Sequence, residues 1–83
     1  MAYWLYILRC GDGTLYTGTT DDVARRLAIH QSGKGAKYTR GRGPLTLAYQ
    51  EACADKSAAL RREIAVKKLT RAEKLALIEG GGG

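Results

Sequence analysis

A chain of 83 residues is long enough for one small domain, which buries about 60% of its unfolded surface around a thin core. Such a core leaves room for a surface cleft but excludes a deep enclosed pocket. No apolar run approaches the ~20 residues of a membrane span, and the first residues lack the charged start and cleavage site of a signal peptide. We therefore expect a cytoplasmic protein with no membrane contact.

The net charge of +6 at pH 7 comes from one third of the sequence. Between Val23 and Gln50 six residues are basic and none is acidic, whereas the remainder has eight of each. This asymmetry favours a face that binds anions, with nucleic acid as the first partner to consider, although a solvated basic surface would look the same. Cys10 and Cys53 lie far apart without the spacing of a zinc site, so we expect two reduced cysteines.

Three strands are predicted from the hydropathy pattern. Residues 3–8 (YWLYIL) are apolar on both faces, which is typical of a central strand. The GDG of residues 11–13 indicates a hairpin, after which residues 14–19 return as a second strand. Residues 45–50 are bounded like a third strand.

A first helix is predicted from about Asp22 to Gln31. Asp21 or Thr20 would cap its amino end, and Gly33 would end it. A glycine-rich basic loop follows and stops at a proline.

Two more helices are predicted in the last third of the chain. The second runs from near Asp55 to about Lys68. Thr70 and Glu73 then form a capping box that opens a third helix, which extends through about Ile78 and ends at Gly80.

The predicted order β-β-α-β-α-α indicates an α+β fold, with a three-stranded, at least partly antiparallel sheet flanked by two or three helices. No linker or repeat divides the chain, so residues 1–79 form a single domain. The glycines of residues 80–83 form a tail that we expect to be disordered.

The first helix carries a cation and an imidazole beside its apolar stripe. A helical wheel assigns Ala24 and Leu27 to the buried stripe, with Arg26 and His30 one turn apart on its rim and Arg25 in solvent. The two rim residues either face a functional site at the sheet edge or are ordinary boundary residues, with Arg26 covering apolar surface.

The second helix places a carboxylate within its apolar face. Glu63 lies on the wheel between Ala59 and the pair Leu60 and Ile64. A buried carboxylate needs a partner, and the sequence offers two solutions. One is a salt bridge to Lys67 at i+4, and the other is a divalent metal such as Mg²⁺.

The length of the hairpin turn decides whether Tyr6 and Tyr16 share a face of the sheet. A two-residue turn at residues 12–13 places them on opposite faces, whereas a three- or five-residue turn, or a bulge, places them on the same one. Both tyrosines could also be strand aromatics chosen for packing.

Four segments in this order, together with the basic loop, resemble the GIY-YIG nuclease domain: WLYIL, LYTG, DDVARRLAIH and ALRREIAVKKL. The likeness covers Tyr3 to about Ile78 and is greatest for small single-domain bacterial proteins of this superfamily. Tyr6 stands for the tyrosine of GIY, and Tyr16 and Gly18 for the conserved ends of YIG. Trp4 and Leu5 replace the first two residues of GIY.

The resemblance implies a catalytic arginine at Arg26, a His or Tyr position at His30 and a metal-binding glutamate at Glu63. Glu63 would hold a single Mg²⁺ or Mn²⁺ on the leaving oxygen, and Arg26 would contact the scissile phosphate. Water attacks in line, with Tyr6 or His30 as its general base. Tyr16 would relay a proton or position water and phosphate.

The implied activity is a structure-selective endonuclease that acts on DNA in preference to RNA, in repair or recombination. The basic loop would bind phosphates and stack on a base through Lys34, Lys37, Tyr38, Arg40 and Arg42. Because such contacts do not read bases, shape should matter more than sequence. The alternatives are a nucleic-acid-binding module with little catalysis, and an accessory domain that binds another protein. A partner protein could supply grip on the substrate.

Overall fold

The computed structural model of the protein describes residues 2–33 and 43–81. It confirms the α+β class and the order β-β-α-β-α-α. The elements are β1 (Tyr3–Arg9), β2 (Leu15–Thr20), α1 (Val23–Gln31), β3 (Thr46–Cys53), α2 (Lys56–Lys67) and α3 (Arg71–Gly81). Within the described ranges no helix is long and apolar enough to cross a membrane.

The sheet has the strand order β2-β1-β3, and both strand pairs are antiparallel. The central strand β1 buries four consecutive residues, Leu5 to Leu8, because side chains cover both faces of the sheet. On one face Leu5 and Ile7 pack with Tyr49 and with Val66 of α2. The strand β3 is longer than the predicted residues 45–50 because it pairs along the whole of β1.

The opposite face of β1 packs towards α1. Tyr6, Leu8 and Cys10 cluster there with Leu45, and Leu27 of α1 lies against them. Tyr6 also belongs to the candidate active site, so one face of β1 contributes both to the core and to that site.

The hairpin between β1 and β2 has a three-residue turn at residues 11–13. The Cys10 N–H donates to the Thr14 carbonyl at 2.9 Å, and the Gly13 N–H donates to the Cys10 carbonyl at 2.9 Å. Gly13 has φ = 87°, a left-handed conformation that suits glycine and that closes three-residue hairpins.

The amino-terminal cap of α1 differs from the prediction. Asp22 is the cap and accepts from the Arg25 N–H at 3.0 Å. Thr20 still belongs to β2, and its hydroxyl bonds to the backbone of Asp22, while the Asp21 carboxylate pairs with the Arg25 side chain at 3.2 Å. The predicted stop at Gly33 is confirmed, since α1 ends at Gln31 and Gly33 has φ = 82°.

The buried stripe of α1 was predicted in the wrong place. Ala24 is exposed, Leu27 is only half-buried, and His30 is the one residue of α1 that is fully buried. The helix turns its His30 side, rather than its Ala24 side, towards the aromatic cluster of the sheet, which the wheel could not show because it contains no sheet.

The apolar face of α2 is also narrower than predicted. Ala59 and Val66 are fully buried, but Leu60 is 40% exposed and Ile64 is 57% exposed. Glu63 therefore lies at the edge of the buried face rather than in the middle of an apolar one.

The ends of α2 and α3 largely follow the sequence. Asp55 caps α2 by accepting from the Ala58 N–H at 2.7 Å. The capping box is confirmed, because the Glu73 N–H donates to the Thr70 hydroxyl at 3.2 Å and the Thr70 N–H donates to Glu73 at 2.9 Å. The helix α3 continues past its predicted end, since Gly80 lacks the left-handed backbone that ends a helix. Residues 82–83 of the predicted tail lie outside the described residues.

Candidate active site

The side chains that the sequence singled out line one cleft of about 210 Å³. They come from four elements: two strands, α1 and α2. The lining residues are Tyr6, Tyr16, Gly18, Thr19, Arg26, His30 and Glu63. A small open cleft of this kind can admit a phosphate group of a larger polymer while the rest of that polymer stays on the surface.

The hairpin register brings the two tyrosines together. Tyr6 lies opposite Gly18, and Leu8 lies opposite Tyr16. Because the turn has three residues, even-numbered positions of both strands face the same side of the sheet. The sequence had left this register open, and the structure places both rings on the α1 side.

Tyr6, Tyr16 and His30 form a triangle of rings. The Tyr6 Oη lies 3.0 Å from His30 Nε2, in a buried hydrogen bond between β1 and α1. The Tyr16 and His30 rings meet edge to face with centroids 5.3 Å apart, and the Tyr6 and Tyr16 centroids lie 6.4 Å apart. Both Tyr6 and His30 are 3% exposed, so their polar atoms are held in a fixed arrangement.

Gly18 makes room for the ring of Tyr6. A Cβ at this position would lie 2.6 Å from Tyr6 Oη and 2.7 Å from its Cζ. The phenol therefore lies directly over the backbone of β2, a contact that any larger residue would block. This explains on steric grounds why glycine stands at the end of the YTG segment.

Arg26 and Arg25 are neighbours in sequence with different surroundings. Arg26 lines the cleft one helical turn before His30. Arg25 points elsewhere and pairs with Asp21 on the surface, where its side chain is 66% exposed. The wheel's distinction between these two arginines is reproduced in the structure.

Glu63 approaches the cleft from α2. Its side chain is 19% exposed, and Oε2 lies 3.3 Å from Lys67 Nζ, whose side chain is 55% exposed. The predicted salt bridge is therefore present. Because Lys67 is half in water, the bond is one that a competing cation could replace at small cost.

Comparison with known proteins shows the family of this chain. The GIY-YIG catalytic domain matches residues 2–76. The chain belongs to the GIY-YIG family. GIY-YIG domains form an endonuclease family that generally acts on nucleic acid and uses divalent metals.

Three UPF0213 proteins match almost the whole chain. A UPF0213 protein of Streptococcus sanguinis is 58% identical over 92% of this chain and 87% of its own length. One of Halobacterium salinarum is 56% identical over 88% of this chain and 95% of its own. The solution NMR structure of a UPF0213 protein from Bacillus halodurans has a TM-score of 0.65 and 52% identity, covering 100% of this chain and 88% of that one.

The electrostatics of the GIY-YIG cleft shift two of its groups. Burial raises the pKa of the Tyr6 phenol, and the nearby Tyr16 and Glu63 raise it further, whereas Arg26 opposes the shift. Burial also lowers the pKa of His30, and the positive charge of Arg26 adds to this effect. Both groups are therefore neutral at pH 7, and the His30 ring can accept or donate at Nε2 according to its tautomer.

The donor set around Glu63 fits a hard divalent cation. No group of three or more His, Cys, Asp or Glu side chains that could hold a metal occurs within residues 2–33 and 43–81. One carboxylate in an open polar cleft nevertheless suits Mg²⁺, which is commonly held by one or two carboxylates with water and substrate phosphate completing its shell. Metal binding at Glu63 would displace Lys67 from its ion pair.

One feature of the site and one feature outside it were missed from the sequence. The close approach of Tyr6 to Gly18 in the site depends on the strand register, which the sequence left open. Outside the site, an ion pair joins α2 to β3: Arg62 Nε donates to both oxygens of Glu51 at 3.2 and 3.1 Å, and the Tyr49 hydroxyl donates to Glu51 at 2.7 Å. These partners lie far apart in the chain, so no local pattern indicates them.

The predicted nucleic-acid contacts of the basic loop lie outside the described residues. They are Lys34, Lys37, Tyr38, Arg40 and Arg42. Their part in binding stays a prediction.

Substitution of Gly18 by alanine is expected to destabilise the protein. The added methyl group would overlap the Tyr6 phenol, and overpacking of this kind costs about 1–3 kcal/mol. Gly80→Ala is the matched control: it meets no atom within 4 Å, and alanine favours the helix by up to about 1 kcal/mol. Denaturant unfolding measures both, and equal stability of Gly18→Ala and wild type would contradict the steric role of Gly18.

Protein stability is expected to fall as the pH drops from 7 towards 5. The pKa of His30 is lower in the folded state than in the unfolded state, so the unfolded chain binds more protons in this range and gains from acidification. The raised pKa of Tyr6 has the opposite sense and destabilises the fold only above about pH 10. His30→Gln should flatten the acidic side of the profile in chemical denaturation, and an unchanged slope would show that another group is responsible.

Proposed function

We propose that the protein is a metal-dependent, structure-selective endonuclease that hydrolyses phosphodiester bonds of DNA, with a role in repair or recombination. One observation carries the proposal: a cation, a carboxylate and a hydrogen-bonded Tyr–His pair line the same cleft. Phosphodiester hydrolysis needs charge stabilisation at the phosphate, a metal ligand and a route for the proton of the attacking water.

Arg26 is proposed to bind the scissile phosphate. Its guanidinium lies on the wall of the cleft and can donate two parallel hydrogen bonds to phosphate oxygens. Charge builds up on those oxygens as the bond breaks, so a guanidinium bound to them stabilises the transition state more than the ground state.

Glu63 is proposed to hold a single Mg²⁺ or Mn²⁺. A divalent metal held there would supply Lewis-acid stabilisation of the phosphate and its leaving group. The contribution of the protein is to aim the carboxylate from α2 into the cleft, where it faces the side chains of α1 and β1.

Tyr6 and His30 are proposed to remove the proton of the attacking water together. Because the pKa of Tyr6 is raised, its phenol is protonated at pH 7. The phenol oxygen can therefore accept a proton from water only if the hydroxyl donates its own proton at the same time. His30 Nε2 lies 3.0 Å away and is neutral at pH 7, so it can take that proton while Tyr6 takes the one from water. Tyr16, edge-on to His30, would position the water and the phosphate.

Replacement of Tyr6 by phenylalanine is expected to reduce the cleavage rate by about 10²–10⁴, the usual contribution of acid–base catalysis. DNA affinity should stay the same, because the ring remains in place and only the hydroxyl is lost. Tyr3→Phe, at the start of the same strand, is the control. Single-turnover cleavage measures the effect; a rate equal to wild type would show that His30 accepts the proton from water without Tyr6.

The proposed activity is tested with labelled substrates. Single-stranded, flapped, branched and duplex DNA, and RNA of the same sequences, are incubated with Mg²⁺, Mn²⁺ or a chelator. The proposal expects metal-dependent products, with flapped or branched DNA preferred. Equal cleavage in the presence of the chelator would contradict the metal assignment.

A second candidate function is a nucleic-acid-binding module with little or no catalysis. The Lys67–Glu63 ion pair favours it, because it occupies the carboxylate that the metal would need. This alternative expects binding to all the substrates without cleavage of any. In that case a partner protein could supply the catalytic activity. If the protein is itself a nuclease, a partner could instead increase its affinity for the substrate.

A cytoplasmic location and a single domain over residues 1–79 complete the proposal. The basic loop would hold the substrate through phosphate contacts that do not read bases. Preference for DNA over RNA is tested with the same set of labelled DNA and RNA substrates.

A further inference from the structure

Three hollows follow one another along the outer strand β2. The candidate active-site cleft shares Tyr16 with a second hollow of about 290 Å³, which Thr17, Lys67 and Lys74 also line. The second hollow shares Lys74 with a third of about 200 Å³, which Arg71 also lines. Each hollow is therefore adjacent to the next, from the cleft towards the hairpin turn.

The side chains along this path are basic. Lys67 comes from the end of α2, and Arg71 and Lys74 lie one turn apart on α3. We call these three residues the basic strip. Lys67 pairs with Glu63, so metal binding at Glu63 would release its charge to the strip.

The acidic groups closest to the strip in sequence or contact are already engaged. Asp12 accepts from the Thr14 N–H and hydroxyl at 3.1 and 2.6 Å in the hairpin turn. Glu73 is held in the capping box at the start of α3. Both carboxylates keep their charge, but neither lines the second or the third hollow, whose charged lining residues, among those described, are all basic.

Thr17, which lines the second hollow, also carries an unsatisfied polar group. The Thr17 Oγ1 is the one buried side-chain nitrogen or oxygen without a hydrogen-bond partner in the described part of the chain. A buried hydroxyl without a partner in the protein costs free energy, which a hydrogen bond to water or to a ligand would recover. This observation is independent of the charge of the strip.

We propose that the basic strip is a second phosphate-binding surface, which holds the nucleic-acid backbone next to the scissile phosphate. The inference rests on the proposed function, because it takes the cleft as the place of cleavage. From Gly18 to Thr14 the chain spans about 13 Å, the axial rise of ~4 nucleotides in a duplex, so the strip is long enough to contact more than one phosphate. The strip belongs to a different part of the sequence from the basic loop and would fix the direction in which the strand leaves the cleft.

The test measures DNA binding in a chelator, where metal-dependent cleavage does not interfere. A fluorescent single-stranded DNA is titrated with the double variant Arg71→Ala/Lys74→Ala and with the control Lys56→Ala/Arg61→Ala, which removes the same charge from exposed positions of α2. The strip variant should bind on the order of tenfold more weakly, and its salt dependence should fall by about 1.4 in log–log slope. The control should stay within about twofold of wild type.

Lys74 is half-buried, so the variant Arg71→Gln/Lys74→Gln, which keeps more of each side chain, is measured as well. Thermal melting establishes that both double variants fold. If the strip variants match the Lys56→Ala/Arg61→Ala control in DNA affinity and in the slope of the salt dependence, the proposed role of the basic strip is contradicted. If wild type binds no nucleic acid, both the strip and the nuclease fail.

A small phosphodiester such as bis(p-nitrophenyl) phosphate separates the strip from the chemistry, because it reaches only the cleft. The strip variant should hydrolyse it at the wild-type rate while cleaving long DNA more slowly at low concentration. A further outcome is that DNA binding depends on the strip while wild type cleaves neither the small phosphodiester nor long DNA with any metal. That result would support the strip as a phosphate-binding surface and contradict the nuclease proposal.

Discussion

Substitution of Glu63 by glutamine is expected to reduce metal-dependent cleavage by about 10³ or more. The change keeps the size of the side chain but removes the charge that would hold the metal, and Lewis-acid stabilisation contributes several kcal/mol to such reactions. The Lys67 partner is half-exposed, so losing the ion pair should cost little stability. A folded but inactive variant is therefore the expected outcome.

The Glu63 experiment has a matched control in Glu79→Gln, which removes one exposed carboxylate from α3. Cleavage is measured under single-turnover conditions, and Mn²⁺ binding is measured separately by paramagnetic resonance. Both activity and Mn²⁺ binding should be lost in Glu63→Gln and kept in Glu79→Gln. Wild-type Mn²⁺ affinity in Glu63→Gln would contradict the role of this carboxylate as the metal ligand.

Arg26→Ala is expected to lower the cleavage rate by about 10²–10³, the usual cost of removing one charge-stabilising donor. Arg25→Ala removes the same charge from the adjacent residue, where the guanidinium pairs with Asp21 on the surface. It should change the rate by less than about twofold. The comparison cancels any effect of net charge on DNA binding.

Arg26→Lys refines the arginine comparison. Lysine keeps the charge but lacks the planar fork that binds two phosphate oxygens, so its rate should lie between those of wild type and Arg26→Ala. Equal losses in Arg25→Ala and Arg26→Ala would show that the arginines act only through bulk charge, and the cleft position of Arg26 would then have no catalytic meaning.

The elements of the fold could be predicted because their signals are local. The capping box of Thr70 and Glu73 and the left-handed glycine at Gly33 act within one helical turn. The cap of α1 was missed by one position because Asp21 and Asp22 are both suitable caps. Only the end of β2 at Thr20 decides between them.

The site could be predicted only in part because it depends on register and on helix orientation. A turn one residue shorter would have separated Tyr6 from Tyr16, and nothing in the GDG segment excludes that turn. The helical wheel identified Arg26 and Glu63 as anomalous, yet it placed Ala24 in the core and Leu60 in a buried face. The family resemblance supplied the residue assignments that the patterns had left open.

The Tyr6–His30 hydrogen bond could not be predicted at all. It joins residues 24 positions apart and requires the phenol to cross the backbone at Gly18. The sequence offered Tyr6 and His30 as alternative bases, whereas the geometry links them as one pair.

The central claim is that the cleft between β1, β2, α1 and α2 is the centre of phosphodiester hydrolysis. Its most direct test is single-turnover cleavage of flapped DNA by wild type and by Glu63→Gln/Arg26→Ala, purified in parallel. We expect wild type to give products only with Mg²⁺ or Mn²⁺ and the folded double variant to give none above the metal-free background. Cleavage by the double variant at the wild-type rate would contradict the claim and place the chemistry elsewhere.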